Sequence, residues 1–142
     1  MDLIQAIDIA SSGLTAQRTQ LDVTAMNLAN AKTTRTVEGG PYRRKEPLFA
    51  EAPMSPFASL LDRERNLSGV RVQEVRTQDR PFRRVYEPGH PDADEEGYVN
   101  YPDINVMEEM TTMLSAMRAY EANVSTITTA KNMFAKALEI GR

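Results

Sequence analysis

The chain contains no cysteine and a single histidine, His90. The missing cysteine excludes disulfides, thiol catalysis and thiolate metal sites. His90 lies beside prolines in a turn-forming segment, and the sequence offers it no recognisable partners for a catalytic triad or a zinc site. A glycine-rich phosphate loop is missing as well, because Gly39-Gly40-Pro41 has the wrong neighbours. These absences predict a protein that is not an enzyme, with no catalytic residue, no cofactor and no metal.

Long apolar runs and a targeting signal are also missing. No stretch approaches the roughly 18 consecutive apolar residues that cross a bilayer, so we expect no membrane insertion. The N-terminus lacks the positively charged start of a secretory signal, and Asp2 and Asp8 interrupt its apolar stretch. A net charge of −3 is too small to indicate a partner. Composition alone therefore indicates a cytoplasmic protein.

Proline is absent from both ends of the chain, and all 8 prolines lie between Pro41 and Pro102. Because proline interrupts helices, we predict three parts: an N-terminal helix over 1–36, a middle segment of short strands and loops over 37–103, and a C-terminal helix over 104–142. The predicted fold class is mainly α with a small β-rich insert, in which the two long helices pack as a coiled-coil-like pair.

The N-terminal helix is predicted from about Leu3 to about Asn30, with an apolar residue at every seventh position. That series consists of Ile7, Leu14, Leu21 and Leu28. The other positions are mostly small and uncharged, which favours burial among several subunits over the alternative, the core of a globular bundle. Gly13 lies inside this helix at a cost of about 1 kcal/mol relative to alanine. Close packing against a neighbouring helix is the expected compensation, and a kink is the alternative.

The C-terminal helix has clear boundary signals. Asn105 is a good N-cap, with Glu108 three residues later as in a capping box, and the helix should continue to about Ile140. Glu108 and Glu109 also favour the positive end of the helix dipole.

Apolar residues along the C-terminal helix form two series of sevens that alternate at spacings of three and four, as in the seam of a coiled coil. One series is Met110, Met117, Val124, Lys131 and Leu138, and the other is Met113, Tyr120, Ile127 and Phe134. Lys131 either fixes the register of the seam or extends its charge into solvent. We predict that these apolar residues, together with Gly13 and the N-terminal series, pack subunits against one another.

The middle segment predicts two or three short strands. Val70 to Val75, which follow Gly69, and Phe82 to Tyr86 have the composition of strands. Residues 53–56 are predicted to be a loop and residues 62–66 a solvated turn.

Two clusters in the middle segment have the composition of binding sites. Residues 92–103 imitate a calcium-binding EF-hand loop, but the prolines before them cannot form its incoming helix, and Asp103 stands where a glutamate is needed. A solvated turn leading into a strand explains this stretch better, and a calcium-responsive regulator is the alternative. Basic residues beside aromatic ones, at 42–45 and 80–86, are typical of a small nucleic-acid-binding module. Because nearby acids dilute that charge, we expect no nucleic-acid partner and keep this function as an alternative.

Residues 11–18 (SSGLTAQR) and 27–33 (NLANAKT) resemble the N-terminal signature of the flagellar rod and hook family. The motif residues are Asn27, Ala29, Asn30 and Thr33. Residues 39–45, 90–99 and 108–123 and the end of the chain at 137–142 are similar to a proximal-rod member of that family. Asp103 departs from it, since asparagine is expected there, and residues 51–66 match no part of it.

The resemblance implies a structural subunit of the proximal rod in the bacterial flagellar basal body. It implies that the terminal helices assemble into a helical tube, which forms the drive shaft and encloses an export channel. The implied partners are copies of the same chain, other rod proteins, the MS-ring, the rod–ring adaptor and the flagellar type III export apparatus. The implied location is the periplasmic space, reached without a cleaved signal peptide, in place of the cytoplasm. Another rod or hook subunit is the alternative within this class.

Overall fold

The computed structural model of the chain describes residues 3–53 and 68–141. Its elements are, in chain order, α1 (Leu3–Ala29), β1 (Lys45–Pro53), β2 (Ser68–Thr77), β3 (Arg83–Tyr86), β4 (Tyr98–Tyr101) and α2 (Val106–Ile140). Two long helices therefore flank an insert of antiparallel strands, and the predicted fold class is confirmed to that extent. The predicted turn at 62–66 and residues 54–56 of the predicted loop lie outside the described residues.

Side chains define the ends of both helices. Asn105 caps α2, because its side-chain oxygen accepts a hydrogen bond from the Met107 N–H at 3.1 Å. At the end of α1, the side-chain amide of Asn30 donates to the Met26 carbonyl at 2.9 Å. Both helices begin and end close to the predicted positions.

The two helices pack side by side and run antiparallel. Asn27, near the end of α1, contacts Glu109 in the first turn of α2, and Gly13 lies against Asn123 further along the pair. The buried apolar side chains of the two helices are mostly alanines: Ala10, Ala16, Val23, Ala116 and Ala130. Small side chains allow helix axes to approach closely, so this pair depends on close approach more than on large interlocking side chains.

β1 and β2 form a long antiparallel hairpin, paired from Lys45 with Thr77 to Pro53 with Ser68. The sequence prediction misses β1, because Pro47 and Pro53 argue against a strand there. Proline is tolerated in edge strands, where no neighbour needs its missing N–H. Both strands of this two-stranded sheet are edges, which explains how β1 accommodates both prolines.

The hairpin of β1 and β2 lies along α1. The backbone N–H of Val70 on β2 donates to the Ser12 hydroxyl of α1 at 3.1 Å. Near the other end of α1, the side chain of Asn27 bonds the backbone of Lys45. Because α1 also contacts α2, it is covered on two sides by its own chain.

β3 and β4 form a second antiparallel hairpin, in which Tyr86 pairs with Tyr98. The two tyrosine rings pack edge to face with 5.3 Å between their centroids, and Val99 of β4 is fully buried. The strand predicted at 82–86 and the strand expected after the acidic turn are both present.

Candidate assembly interface

A buried carboxylate lies where α1, α2 and the start of β1 meet. Glu109 is only 1% exposed. Its Oε1 accepts a hydrogen bond from Nε of Arg44 at 2.6 Å, and its Oε2 accepts one from Nδ2 of Asn27 at 3.1 Å. A buried charge is tolerated only when it is paired and hydrogen-bonded, and the largely buried guanidinium of Arg44 meets that condition. Glu109 therefore joins residues from three parts of the chain.

Asn27 is the second centre of this group. Its Nδ2 also donates to the Lys45 carbonyl at 2.8 Å, and its Oδ1 accepts from the Lys45 N–H at 2.9 Å. The hydroxyl of Tyr42 donates to the same Oδ1 at 3.0 Å. Both polar atoms of this buried side chain are thus satisfied, as buried polar groups require. We refer to Asn27, Tyr42, Arg44, Lys45 and Glu109 as the junction cluster.

The protonation of Tyr42 fits its role in the junction cluster. Burial raises the pKa of the Tyr42 phenol above its ordinary value of 10.0, and the negative charge of Glu109 raises it further. Both effects favour the neutral hydroxyl, which is the form that donates a hydrogen bond to Asn27.

The junction cluster is suited to holding structure rather than to catalysis. Its carboxylate is paired and its amide is fully bonded, so neither group is available to a substrate. Within the described ranges, no three His, Asp or Glu side chains are grouped so that they could hold a metal ion. The cluster fixes the direction in which the insert leaves the helix pair.

Gly13 lies directly against Asn123 of α2. A Cβ atom at residue 13 would be 2.8 Å from Nδ2 of Asn123 and 3.3 Å from its Cγ. These separations are shorter than normal packing contacts, so a side chain at position 13 requires Asn123 to move. The close neighbour expected for Gly13 is therefore a helix of the same chain.

The structure separates the predicted packing residues into two groups. Half-buried residues are Ile7, Leu14, Leu21, Leu28, Met113 and Ile127. Exposed residues are Met110, Met117, Tyr120, Val124, Phe134 and Leu138, with exposed fractions between 37% and 61%. The chain by itself leaves most of the predicted seam of α2 uncovered.

The contact between the chain's own helices uses a different heptad series on α2. Glu109, Ala116 and Ala130 are buried there, and Asn123 contacts Gly13. Each lies one position before a member of the predicted series from Met110 to Lys131. Ala116 and Ala130 lie on the side of α2 that approaches α1 closely, and Met110 and Met117 lie outside that contact. Most of the predicted seam therefore lies outside this close contact, and its role between subunits stays a prediction.

An apolar stripe follows the outside of α2. It consists of Met107, Met110, Leu114, Met117 and Val124, which recur at helical spacing and which we refer to as the methionine stripe. All five are exposed, Met107 by 71% and Leu114 by 59%.

The far end of the helix pair is also apolar. Phe134 and Leu138 of α2 form an open groove of about 490 Å³ with Leu3, Ile4 and Ile7 of α1. All residues from Lys131 to Ile140 are exposed.

The four motif residues have different surroundings. Asn27 is a centre of the junction cluster, and Asn30 supports the last turn of α1. Thr33 donates from Oγ1 to Oδ1 of Asn30 at 3.1 Å, while Ala29 is exposed. Three of the four thus organise the exit of the chain from α1.

The acidic turn is held by its own hydrogen bonds. Oδ1 of Asp94 accepts from the N–H groups of Glu96 at 3.0 Å and Tyr98 at 2.8 Å, and Arg84 donates to Oδ2 at 2.9 Å. The Tyr98 N–H is the main cause of a pKa for Asp94 below its ordinary value of 3.8, and Arg84 adds to it. These contacts form a turn that leads into β4, as predicted.

The basic residues of the insert contact neighbouring side chains. Arg43 pairs with Asp79 and lies over the Phe82 ring at 4.6 Å, and Arg84 lies over the Tyr98 ring at 4.7 Å. Such pairs stabilise the insert and reduce the positive charge that a nucleic acid would meet.

His90 has a structural role in its turn. Its Nδ1 accepts a hydrogen bond from the Asp92 N–H at 3.1 Å, and its ring lies 6.3 Å from that of Tyr101. Asp92 in turn accepts a hydrogen bond from the Thr34 hydroxyl at 2.8 Å, which ties the turn to the segment after α1.

Sequence reasoning misses the buried roles of Arg44 and Glu109. Glu109 lies in the first turn of a helix, where the dipole already explains an acid, and Arg44 lies in a basic run. The one signal in the sequence is that Glu109 stands in heptad register with Ala116 and Ala130.

The helices of the described part of the chain are not long and apolar enough to span a membrane.

Residues 7–35 match the family model described as flagella basal body rod protein, and residues 95–140 match the one described as flagellar basal body rod FlgEFG protein C-terminal. The flagellar basal-body rod protein FlgC of Borreliella burgdorferi is 43% identical over 99% of this chain and 98% of its own length. FlgC of Escherichia coli O6:H1 is 42% identical and FlgC of Bacillus subtilis 39% identical, each over 100% of both chains.

Proposed function

The chain belongs to the FlgC family of flagellar basal-body rod proteins and is a structural subunit of the rod, not an enzyme; on this premise we propose that α1 and α2 form the wall of a helical tube. In this proposal copies of the chain and other rod proteins bury one another's exposed helix faces. The tube serves as the drive shaft of the proximal rod and encloses the export channel.

The exposed methionine stripe is the observation that carries this proposal. Monomeric proteins rarely expose a contiguous apolar surface of this kind, and a large patch marks an interaction site. Burying apolar surface stabilises an assembly by about 25 cal/mol per Å². The stripe extends along several turns of α2, so it suits contact with another helix lying alongside.

The insert has a separate role in the proposal. The junction cluster holds the start of the insert at one end of the helix pair, and the hairpin of β1 and β2 lies along α1 as far as Ser12. We assign to the insert contacts with components outside the tube wall, among them the MS-ring and the rod–ring adaptor. The subunit reaches the periplasmic space through the flagellar type III export apparatus without a cleaved signal.

Aspartate substitutions in α2 test the proposal. Ile127→Asp and Phe134→Asp each place a charge where assembly would bury it, which is costly. Both variants should be made and exported, yet fail to restore motility and to enter isolated basal bodies in a strain lacking its own copy. Val37→Asp is the matched control, because Val37 is an apolar residue that is fully exposed in a loop. If the Phe134→Asp protein restores motility, and sequencing confirms that the strain makes only this variant, then Phe134 is not packed against another subunit in the rod.

A further inference from the structure

We propose that the methionine stripe of one subunit packs antiparallel on the outer face of α1 of a second copy of the chain. The proposal rests on the proposed function and names the partner surface within it. It follows from two exposed helix faces that match in size, hydrogen bonding and charge.

The outer face of α1 is a continuous row of exposed residues at spacings of three and four. The row consists of Asp8, Ser11, Thr15, Arg18, Asp22, Ala25 and Ala29. This row lies on the side of α1 away from the Gly13 contact with α2. Its uncharged members between Ser11 and Ala29 are small, which allows a second helix to approach closely there, while the exposed Ile4 and Met26 on the same side of α1 are larger.

The matching row on α2 includes the methionine stripe and continues along the helix through Glu121, Thr128 and Lys131, which are all exposed. Placed antiparallel in one register, the two rows bring Ala25 level with Leu114 and Ala29 level with Met110. Large side chains of α2 then face small ones of α1, as ridges-into-grooves packing requires.

The same register pairs opposite charges. Asp8 is level with Lys131 and Arg18 with Glu121, while Asp22 is level with Met117 and lies one residue from Arg118. Arg18 follows Asp8 by the same number of residues as Lys131 follows Glu121, so one alignment satisfies both pairs. None of these six charged side chains forms an ion pair with another residue in the ranges 3–53 and 68–141. Their opposite signs are therefore available to a partner.

Two threonine hydroxyls on these faces are already satisfied by their own helices. Thr15 donates to the Ser11 carbonyl at 3.3 Å, and Thr128 donates to the Val124 carbonyl at 2.9 Å. Thr111, beside the stripe, donates to the Met107 carbonyl at 2.9 Å. These three threonines can therefore be buried without leaving their hydroxyl donors unpaired.

The proposed register differs from the register within one chain. In the chain, Asn27 contacts Glu109 and Gly13 contacts Asn123; between copies, each α1 residue lies about one helical turn further along α2. The second copy is therefore displaced along the helix axis by about 5 Å. Because the two faces are different and lie on opposite sides of the subunit, the contact is heterologous, and with this displacement it extends into an open helix rather than a closed ring.

Charge reversal in mixed subunits provides the first test. Full-length Arg18→Glu and Glu121→Arg proteins should each need a roughly tenfold higher concentration to self-associate, as measured by sedimentation velocity, because each puts like charges together. An equimolar mixture should associate as the wild type does, since each chain then supplies the charge that the other needs. Arg71→Glu, an exposed change on β2, is the matched control and should have no effect. A wild-type chain that stays monomeric at every concentration, or a mixture no better than its components, would overturn the proposal.

Cysteine cross-linking provides the second test, since the natural chain has no cysteine. The register places Thr15 level with Val124. In isolated basal bodies, the Thr15→Cys/Val124→Cys double variant should form oxidised dimers and higher species, and each single variant should form none. Basal bodies that contain the double variant without cross-links would refute this contact and leave the rod function standing. Absence of the wild-type chain from basal bodies would instead refute its place in the rod.

Discussion

Gly13 and Asn123 are in such close contact that a Cβ atom at residue 13 would lie 2.8 Å from the Asn123 amide nitrogen. Two effects therefore oppose each other in Gly13→Ala. Alanine gains about 1 kcal/mol of helix propensity, and the clash with Asn123 removes some or all of that gain. This close contact gives a physical reason for a glycine at position 13.

We expect the effect of Gly13→Ala to depend on residue 123. In an Asn123→Ala background, Gly13→Ala should raise the free energy of unfolding by about 0.5–1 kcal/mol. In the natural background it should raise it less or lower it. Urea unfolding of the four proteins in this double-mutant cycle measures the coupling. Equal effects in both backgrounds would show that the two side-chain positions do not interact.

Glu109→Ala should be among the most damaging substitutions in the chain. It leaves the largely buried Arg44 without its carboxylate, which costs about 3–5 kcal/mol when a buried pair is broken. Glu109→Gln, which keeps an oxygen acceptor, should be milder in urea unfolding. Replacing both members, as in Arg44→Met/Glu109→Leu, should cost less than Glu109→Ala alone. If Glu109→Ala unfolds like the wild type, the junction cluster does not hold the insert.

Alkaline pH should weaken the junction cluster through Tyr42. Because the folded state raises the pKa of Tyr42 above 10.0, its contribution to stability is complete below pH 10.0 and is lost as pH rises through the folded value. Tyr42→Phe should therefore have a smaller loss of stability than the wild type between about pH 9 and 12. Tyr120→Phe is the control, because Tyr120 is exposed on α2 outside the cluster, and this variant should lose stability over that pH range as the wild type does.

Acid should open the turn that Asp94 holds. The folded pKa of Asp94 lies below 3.8, so its contribution is present above pH 3.8 and is lost as pH falls through the folded value. The near-ultraviolet circular dichroism of the Tyr86–Tyr98 pair should report this opening. Asp94→Asn should reduce its dependence on pH, and calcium at neutral pH should leave the spectrum unchanged. A spectrum that changes with calcium would instead support the alternative of a calcium-responsive regulator that uses residues 92–103.

The helix limits follow from local chemistry and could be predicted. The distribution of proline separates the helices from the insert, and Asn105 marks the start of α2 by a hydrogen bond within its own turn. β1 could not be predicted in the same way, because Pro47 is acceptable only in a strand that has an unpaired edge. That condition depends on the sheet as a whole.

The sequence predicts that α1 and α2 pack together, but it does not predict which residues of α2 form the contact. Large apolar residues such as Met110 and Met117 dominate the heptad pattern, yet the chain packs its own helices through Ala116 and Ala130. Which of two adjacent series faces inward depends on how closely the helix axes approach. The sequence has that information in Gly13, but it becomes clear only when Asn123 is seen beside it.

The hairpin of β1 and β2 is fastened to α1 at two separate points. One is Asn27 on Lys45 and the other is Ser12 on Val70, about 20 Å apart along the helix axis. Torque on the insert is therefore resisted at two separated contacts. Two contacts at this distance oppose rotation of the insert about α1, which a single contact would allow. An insert held in this way keeps its orientation relative to the helix pair under torque, as the proposed drive-shaft role requires.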